Sequence, residues 1–114
     1  MHDDHVQRNF TAPAANVVWL TDITEHHTIE GKLYCCAIKD VFSNRIVGYA
    51  LSDRMTAGLA TAALRTAIAR RQPDGTVVVH SDRGSQFRSR AFRALLTRAG
   101  LTGSMGRVAA AGDN

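Results

Sequence analysis

The sequence predicts an α/β domain built on one mixed sheet, and three observations carry that expectation. Three β-rich segments come first, separated only by turn signals at Glu30-Gly31 and Ser43-Asn44, the pattern of an antiparallel meander. Leu59, Ala60, Ala63, Leu64, Ala67 and Ile68 then recur at helical spacing as one apolar stripe. A short apolar strand and a second amphipathic stretch follow, and strand-helix alternation of this kind packs helices onto a sheet.

Residues 1–15 are polar and mixed, with Pro13 among them, and read as an N-terminal leader ahead of a core over 16–114. Residues 17–23, Val-Val-Trp-Leu-Thr-Asp-Ile, are rich in β-branched and aromatic side chains and predict a buried strand. The second and third strands are expected over 33–40 and 46–51. The first helix ends before Pro73 and the Asp74-Gly75 turn. Residues 76–80, Thr-Val-Val-Val-His, form a short continuous apolar strand of the type buried on both faces. A polar loop is expected over 81–87. Ser89 can cap the next helix, whose apolar face is Phe92, Leu95, Leu96 and Ala99, and Gly100 is a suitable stop. Residues 102–105 suit one more short strand, and 106–114 are small and Gly/Ala-rich, with no structure of their own expected.

A chain of 114 residues, 45% hydrophobic and 21% charged, is one globular domain with enough material for a real core. Its net charge is +4, and the basic excess is almost all arginine, since Lys32 and Lys39 are the only lysines. That balance permits a polyanionic partner without requiring one. Cys35 and Cys36 are neighbours on a strand and point to opposite faces, so they cannot readily pair with each other or share a metal. They read as small hydrophobes in a reducing compartment. No apolar run approaches the ~20 residues of a membrane span, and no signal-peptide pattern opens the chain. The expectation is no membrane and a cytoplasmic location.

Two carboxylates stand out. Asp22 lies in the middle of the first strand, where a buried charge costs several kcal/mol unless it is paired or meets a cation. Asp82 follows the 76–80 strand at once, just beyond a strand C-terminal end, where sites in sheets with helical crossovers collect. Paired carboxylates suit a hard cation such as Mg²⁺. A salt bridge to an arginine for Asp22 and an Asx-type turn ahead of Gly84 for Asp82 are equally compatible with spacing alone. His26-His27 reads as a solvated turn pair rather than a zinc site, and His80 as a hydrogen-bonded strand end. Ser81 and Ser85 suit loop hydrogen bonds, and Trp19 suits the core. Arg83, Arg88, Arg90, Arg93 and Arg98 surround the second acid and the following helix. They are either a solvated helix face or a set of phosphate contacts.

At these residues the chain resembles a known family. Trp19-Leu20-Thr21-Asp22-Ile23-Thr24 is similar to the W-x-T-D-I-T segment of insertion-sequence transposases with a retroviral-integrase-type core. Glu30-Gly31-Lys32-Leu33-Tyr34 and the stretch from Asp40 to Gly48 continue the likeness. His80-Ser81-Asp82-Arg83-Gly84-Ser85-Gln86-Phe87 resembles the family's H-S-D-R-G-S-Q-Y/F segment. Gly103-Ser104-Met105-Gly106-Arg107 and Gly112-Asp113-Asn114 resemble the approach to its third acid. The resemblance implies a ribonuclease H-like fold and a D-D-E site, with Asp22 and Asp82 as the first two catalytic and metal-binding acids. It implies two Mg²⁺ (or Mn²⁺) ions in the complete site, and phosphoryl transfer that cleaves and joins DNA. It also implies element ends and target DNA as partners; on the phosphate-contact reading of the arginine cluster, Arg83, Arg88, Arg90 and Arg93 are the expected DNA contacts, and self-association is expected as well. The family's glutamate lies a few residues beyond its Asp-Asn pair. The expectation is therefore a C-terminally incomplete core that lacks its third acid and the helix bearing it, with an apolar bed left exposed on the sheet. The alternative of a different class is a non-catalytic transposase remnant that keeps DNA or partner binding.

Overall fold

The computed structural model describes residues 11–82 and 84–105. The element order is β1 (Val18–Thr28), β2 (Gly31–Asp40), β3 (Ile46–Ser52), α1 (Ala57–Arg71), β4 (Val78–His80), α2 (Ser85–Arg88), α3 (Arg90–Arg98) and β5 (Thr102–Ser104). The five strands form one sheet in the order β3-β2-β1-β4-β5. The β1-β2 and β2-β3 pairs are antiparallel, and the β1-β4 and β4-β5 pairs are parallel. The expected meander, helix and strand-helix order is therefore present. Residues 11–15 carry no strand or helix, and the rest of the leader and the 106–114 tail lie outside the described residues.

The two faces of the sheet differ because side chains alternate along each strand. Trp19, Thr21 and Ile23 share a face with Asp40, Ile38 and Cys36, their direct partners on β2. That face meets α1, and Trp19, Cys36 and Ile38 are fully buried there beside Leu59, Ala60, Ala63, Leu64 and Ala67 of the predicted stripe. Gly48 makes the contact close. A Cβ there would stand 2.5 Å from the Ala63 carbonyl oxygen and 2.7 Å from the Ala67 nitrogen, so only glycine lets α1 lie this near β3. Phe92 and Leu96 of α3 complete the layer. The opposite face carries no layer among the described residues. Tyr49 and Leu51 stand more than half exposed on it.

Two stretches differ from the sequence expectation. β1 runs on to Thr28 instead of ending at Ile23, and the polar residues beyond Ile23 are held by their ladder to β2 rather than by burial. His26 and His27 are therefore strand residues and not a turn pair. His26 Nε2 lies 3.0 Å from Thr24 Oγ1, and His27 lies 3.4 Å from the Glu25 carboxylate. The hairpin turns at Ile29-Glu30 and closes on Gly31, whose φ of 131° is a glycine conformation. The loop expected over 81–87 contains a one-turn helix, α2, pinned by buried Phe87. The Phe87 ring meets Phe92 edge-on at a centroid distance of 5.5 Å.

Candidate active site

β1 and β4 are adjacent and parallel, and Leu20 is paired with His80. Asp22 and Asp82 each lie two residues further along. Asp22 is still within β1, while Asp82 lies in the loop just past the end of β4, so the pairing brings the segments that bear the two acids side by side, on strands whose axes are about 4.8 Å apart. The strand C-terminal position that singles out Asp82 in the sequence is the position it takes. Thr21 ties the two strands there, its Oγ1 donating to the His80 carbonyl at 3.1 Å. Ser81 N donates to the Ser104 carbonyl at 2.8 Å, fastening the other side of β4 to β5.

Both carboxylates are exposed. This corrects the reading of Asp22 as a charge buried in a strand. The residue alternates onto the uncovered face, opposite Trp19 and Thr21, so its charge is not a burial problem. Asp82 does form the Asx-type turn that its spacing allows, Oδ1 accepting from Gly84 N at 2.7 Å. A Cβ on Gly84 would stand 3.0 Å from that Oδ1 and 2.6 Å from Gln86 Oε1, so glycine here keeps space beside the acid. Both acids reach the sheet electrostatically. Burial first, then the Cys35, Asp22 and Asp82 charges, push the Cys36 thiol up to about 12, which keeps it protonated. His80, half-buried at the end of β4, has its Nδ1 3.1 Å from Ser104 Oγ. Burial lowers its pKa, and the Asp82 charge opposes that shift, so the ring is neutral at pH 7.

The arginines divide. Arg88, Arg90 and Arg93 are exposed and form no ion pair with a carboxylate among the described residues. Arg83 lies outside the described residues. α3 is started by Ser89, whose Oγ accepts from Phe92 N at 3.1 Å as expected for its cap. The described residues contain no group of three or more His, Cys, Asp or Glu placed to hold a metal. No helix of the described residues is long and apolar enough to cross a membrane.

The model of the integrase core domain family matches residues 12–111. The chain belongs to that family. It is 40% identical over 109 residues to the transposase InsF for insertion sequence IS3A of Escherichia coli, covering 96% of this chain and 38% of that protein. It is 39% identical to the uncharacterized 31 kDa protein of insertion element IS600 from Shigella sonnei, with 96% and 40% covered. The chain thus spans about two-fifths of the length of these relatives. Among solved structures, this integrase core domain is similar to a chain in the simian T-cell lymphotropic virus intasome, with a TM-score of 0.75 and 21% identity over 85% of this chain and 34% of that one. It is also similar to the HTLV-2 integrase catalytic core domain in complex with magnesium, with a TM-score of 0.72 and 20% identity over 85% of this chain and 66% of that one. At those identities the likeness is one of fold, and the fold is the ribonuclease H-like one expected from the sequence.

Proposed function

We propose that this chain is part of the catalytic core of an insertion-sequence transposase, with Asp22 and Asp82 as paired metal-binding acids for phosphoryl transfer on DNA. The observation that supports the reading is the parallel pairing of β1 with β4, which sets the strand carrying Asp22 beside the strand that Asp82 follows, with both residues open to solvent. Two exposed carboxylates are oxygen donors of the type Mg²⁺ takes, and Mg²⁺ commonly takes only one or two while keeping water and phosphate. The donor set therefore fits a divalent ion. Bound there, such ions would activate the attacking oxygen and stabilise the leaving oxygen of a phosphodiester. The protein's part is positional. Gly84 N holds one oxygen of Asp82, and Thr21 locks β1 to β4 beside the pair. Water in cleavage and a DNA 3′-hydroxyl in joining serve as nucleophiles, and no side chain is needed for that role. Arg83, Arg88, Arg90 and Arg93 contact phosphates and position the DNA. Self-association fits the family, and the magnesium complex of the similar HTLV-2 core fits the metal.

The test is plasmid nicking in Mg²⁺ and in Mn²⁺, beside duplex binding. Any nicking by the wild-type chain should disappear in Asp22→Asn and in Asp82→Asn. Nicking that survives either substitution contradicts the assignment. Duplex binding without nicking in either metal points to the non-catalytic reading.

A further inference from the structure

Away from the acid pair, Arg45, Ile46, Val47, Arg70 and Arg71 line a surface cavity of about 390 Å³. Three guanidinium-bearing residues from two regions of the chain meet there, and no carboxylate among the described residues lines the cavity. Asp40 is the nearby negative charge. It is buried, and Arg71 helps to stabilise it. Arg71 also donates from Nε to Asn16 Oδ1 at 3.0 Å. Three cations thus stand against one buried anion. Arg45 and Arg70 are exposed and form no ion pair among the described residues.

The helix macrodipole explains part of this. Arg70 and Arg71 occupy the last turn of α1, where partial negative charge favours cations. It does not explain Arg45, which enters from the β2-β3 turn. The dipole amounts to roughly half a charge, which leaves the cavity positive. Its mouth is open, and no aromatic side chain lines it to stack on a base. Its chemistry suits a phosphate passing across a surface, since arginine forks match phosphate oxygens.

We infer that the cavity formed by Arg45, Arg70 and Arg71 binds a phosphate of the DNA backbone, at a point separate from the acid pair. The inference rests on the reading of the chain as a DNA-acting core. Tyr49 is opposite Ala37, which is opposite Asp22, and Arg45 is four residues before Tyr49. The cavity is therefore displaced about 10 Å across the sheet and about 13 Å along it from Asp22, and its Arg70 and Arg71 belong to α1, which packs on the sheet face opposite Asp22. At that distance it anchors DNA and takes no part in the chemistry. The contact is independent of base sequence.

The experiment is a fluorescence-anisotropy titration of a labelled duplex with the full chain over a salt series. Arg45→Ala/Arg70→Ala is compared with a charge-matched control, Arg54→Ala/Arg65→Ala, whose residues are exposed and do not line the cavity. Arg71 is left in place because it supports Asn16. The expected result for the cavity variant is binding about 5- to 10-fold weaker near 0.1 M salt, with the slope of log K against log salt shallower by about 0.9 for each phosphate lost. The control keeps the wild-type slope, and circular dichroism melts of both variants match the wild type. Unchanged binding by the cavity variant, or an equal loss in the control, overturns the inference and leaves the DNA reading standing. A wild-type chain that binds no duplex overturns both.

Discussion

Asp40 and Asp22 are both strand carboxylates, and the fold treats them in opposite ways. Asp40, at the end of β2, is fully buried. Its Oδ1 accepts from Asn16 N at 2.8 Å, and its Oδ2 accepts from Ser43 N at 2.9 Å and Ser43 Oγ at 2.8 Å. Asn16, at a positive φ of 61°, carries the network on, with its Oδ1 accepting from Trp19 Nε1 and Arg71 Nε. Asp22, on β1, is exposed, on the strand next to the one that the second candidate acid, Asp82, follows. A buried acid whose oxygens are filled by the protein is a structural part. An exposed acid set beside another of like charge adds little to folding and suits a cation. Burial and hydrogen bonding, more than residue type or strand position, separate the two roles.

The largest expected effect lies at the structural acid. Asp40→Asn presents an amide to donors that need an acceptor, and should cost about 3 kcal/mol in urea denaturation. A loss below about 1 kcal/mol would show that the network is dispensable. The pH dependence sharpens the point. Burial tends to raise the Asp40 pKa, but the Asn16 and Ser43 hydrogen bonds and the Arg71 charge outweigh it and hold the pKa below its ordinary 3.8. A depressed folded-state pKa means that the unfolded chain binds more protons. The stabilisation is fully present above the unfolded value and is lost as pH falls from there through the folded value. Wild-type stability should therefore fall on acidification below about pH 4, with a shallower fall in Asp40→Asn.

This contrast also marks what the sequence can convey. The meander, the α1 stripe, the Trp19 core position, the Ser89 cap and the position of Asp82 after β4 all follow from local pattern, and each is where the pattern puts it. Asp40 reads in the sequence only as the end of a strand, because its partners Asn16 and Arg71 are distant along the chain and converge only when it folds. Asp22 reads as buried because an apolar run does not say which face of a sheet is covered. The polar end of β1 escapes the pattern for a related reason: cross-strand hydrogen bonds hold Thr24–Thr28 without an apolar signal. Gly84 stands beside Asp82 in the motif, but its role needs the space around the carboxylate to be seen.

The smallest expected effect lies at the candidate site. Asp22→Asn and Asp82→Asn remove exposed like charges, and each should leave the urea-derived stability within about 0.5 kcal/mol of wild type. A loss above about 1.5 kcal/mol in either would reassign that acid to structure and erase the contrast with Asp40.

The most direct measurement is an electron paramagnetic resonance titration of Mn²⁺ into the wild-type chain, Asp22→Asn and Asp82→Asn. Glu25→Gln, which changes a carboxylate elsewhere on β1, serves as the control. The expected result is saturable Mn²⁺ binding by the wild type and the control, weakened about tenfold or more by either substitution at the pair, because divalent affinity follows the number of charged ligands. Equal Mn²⁺ binding in all four proteins would contradict the assignment of Asp22 and Asp82 as one metal-binding pair.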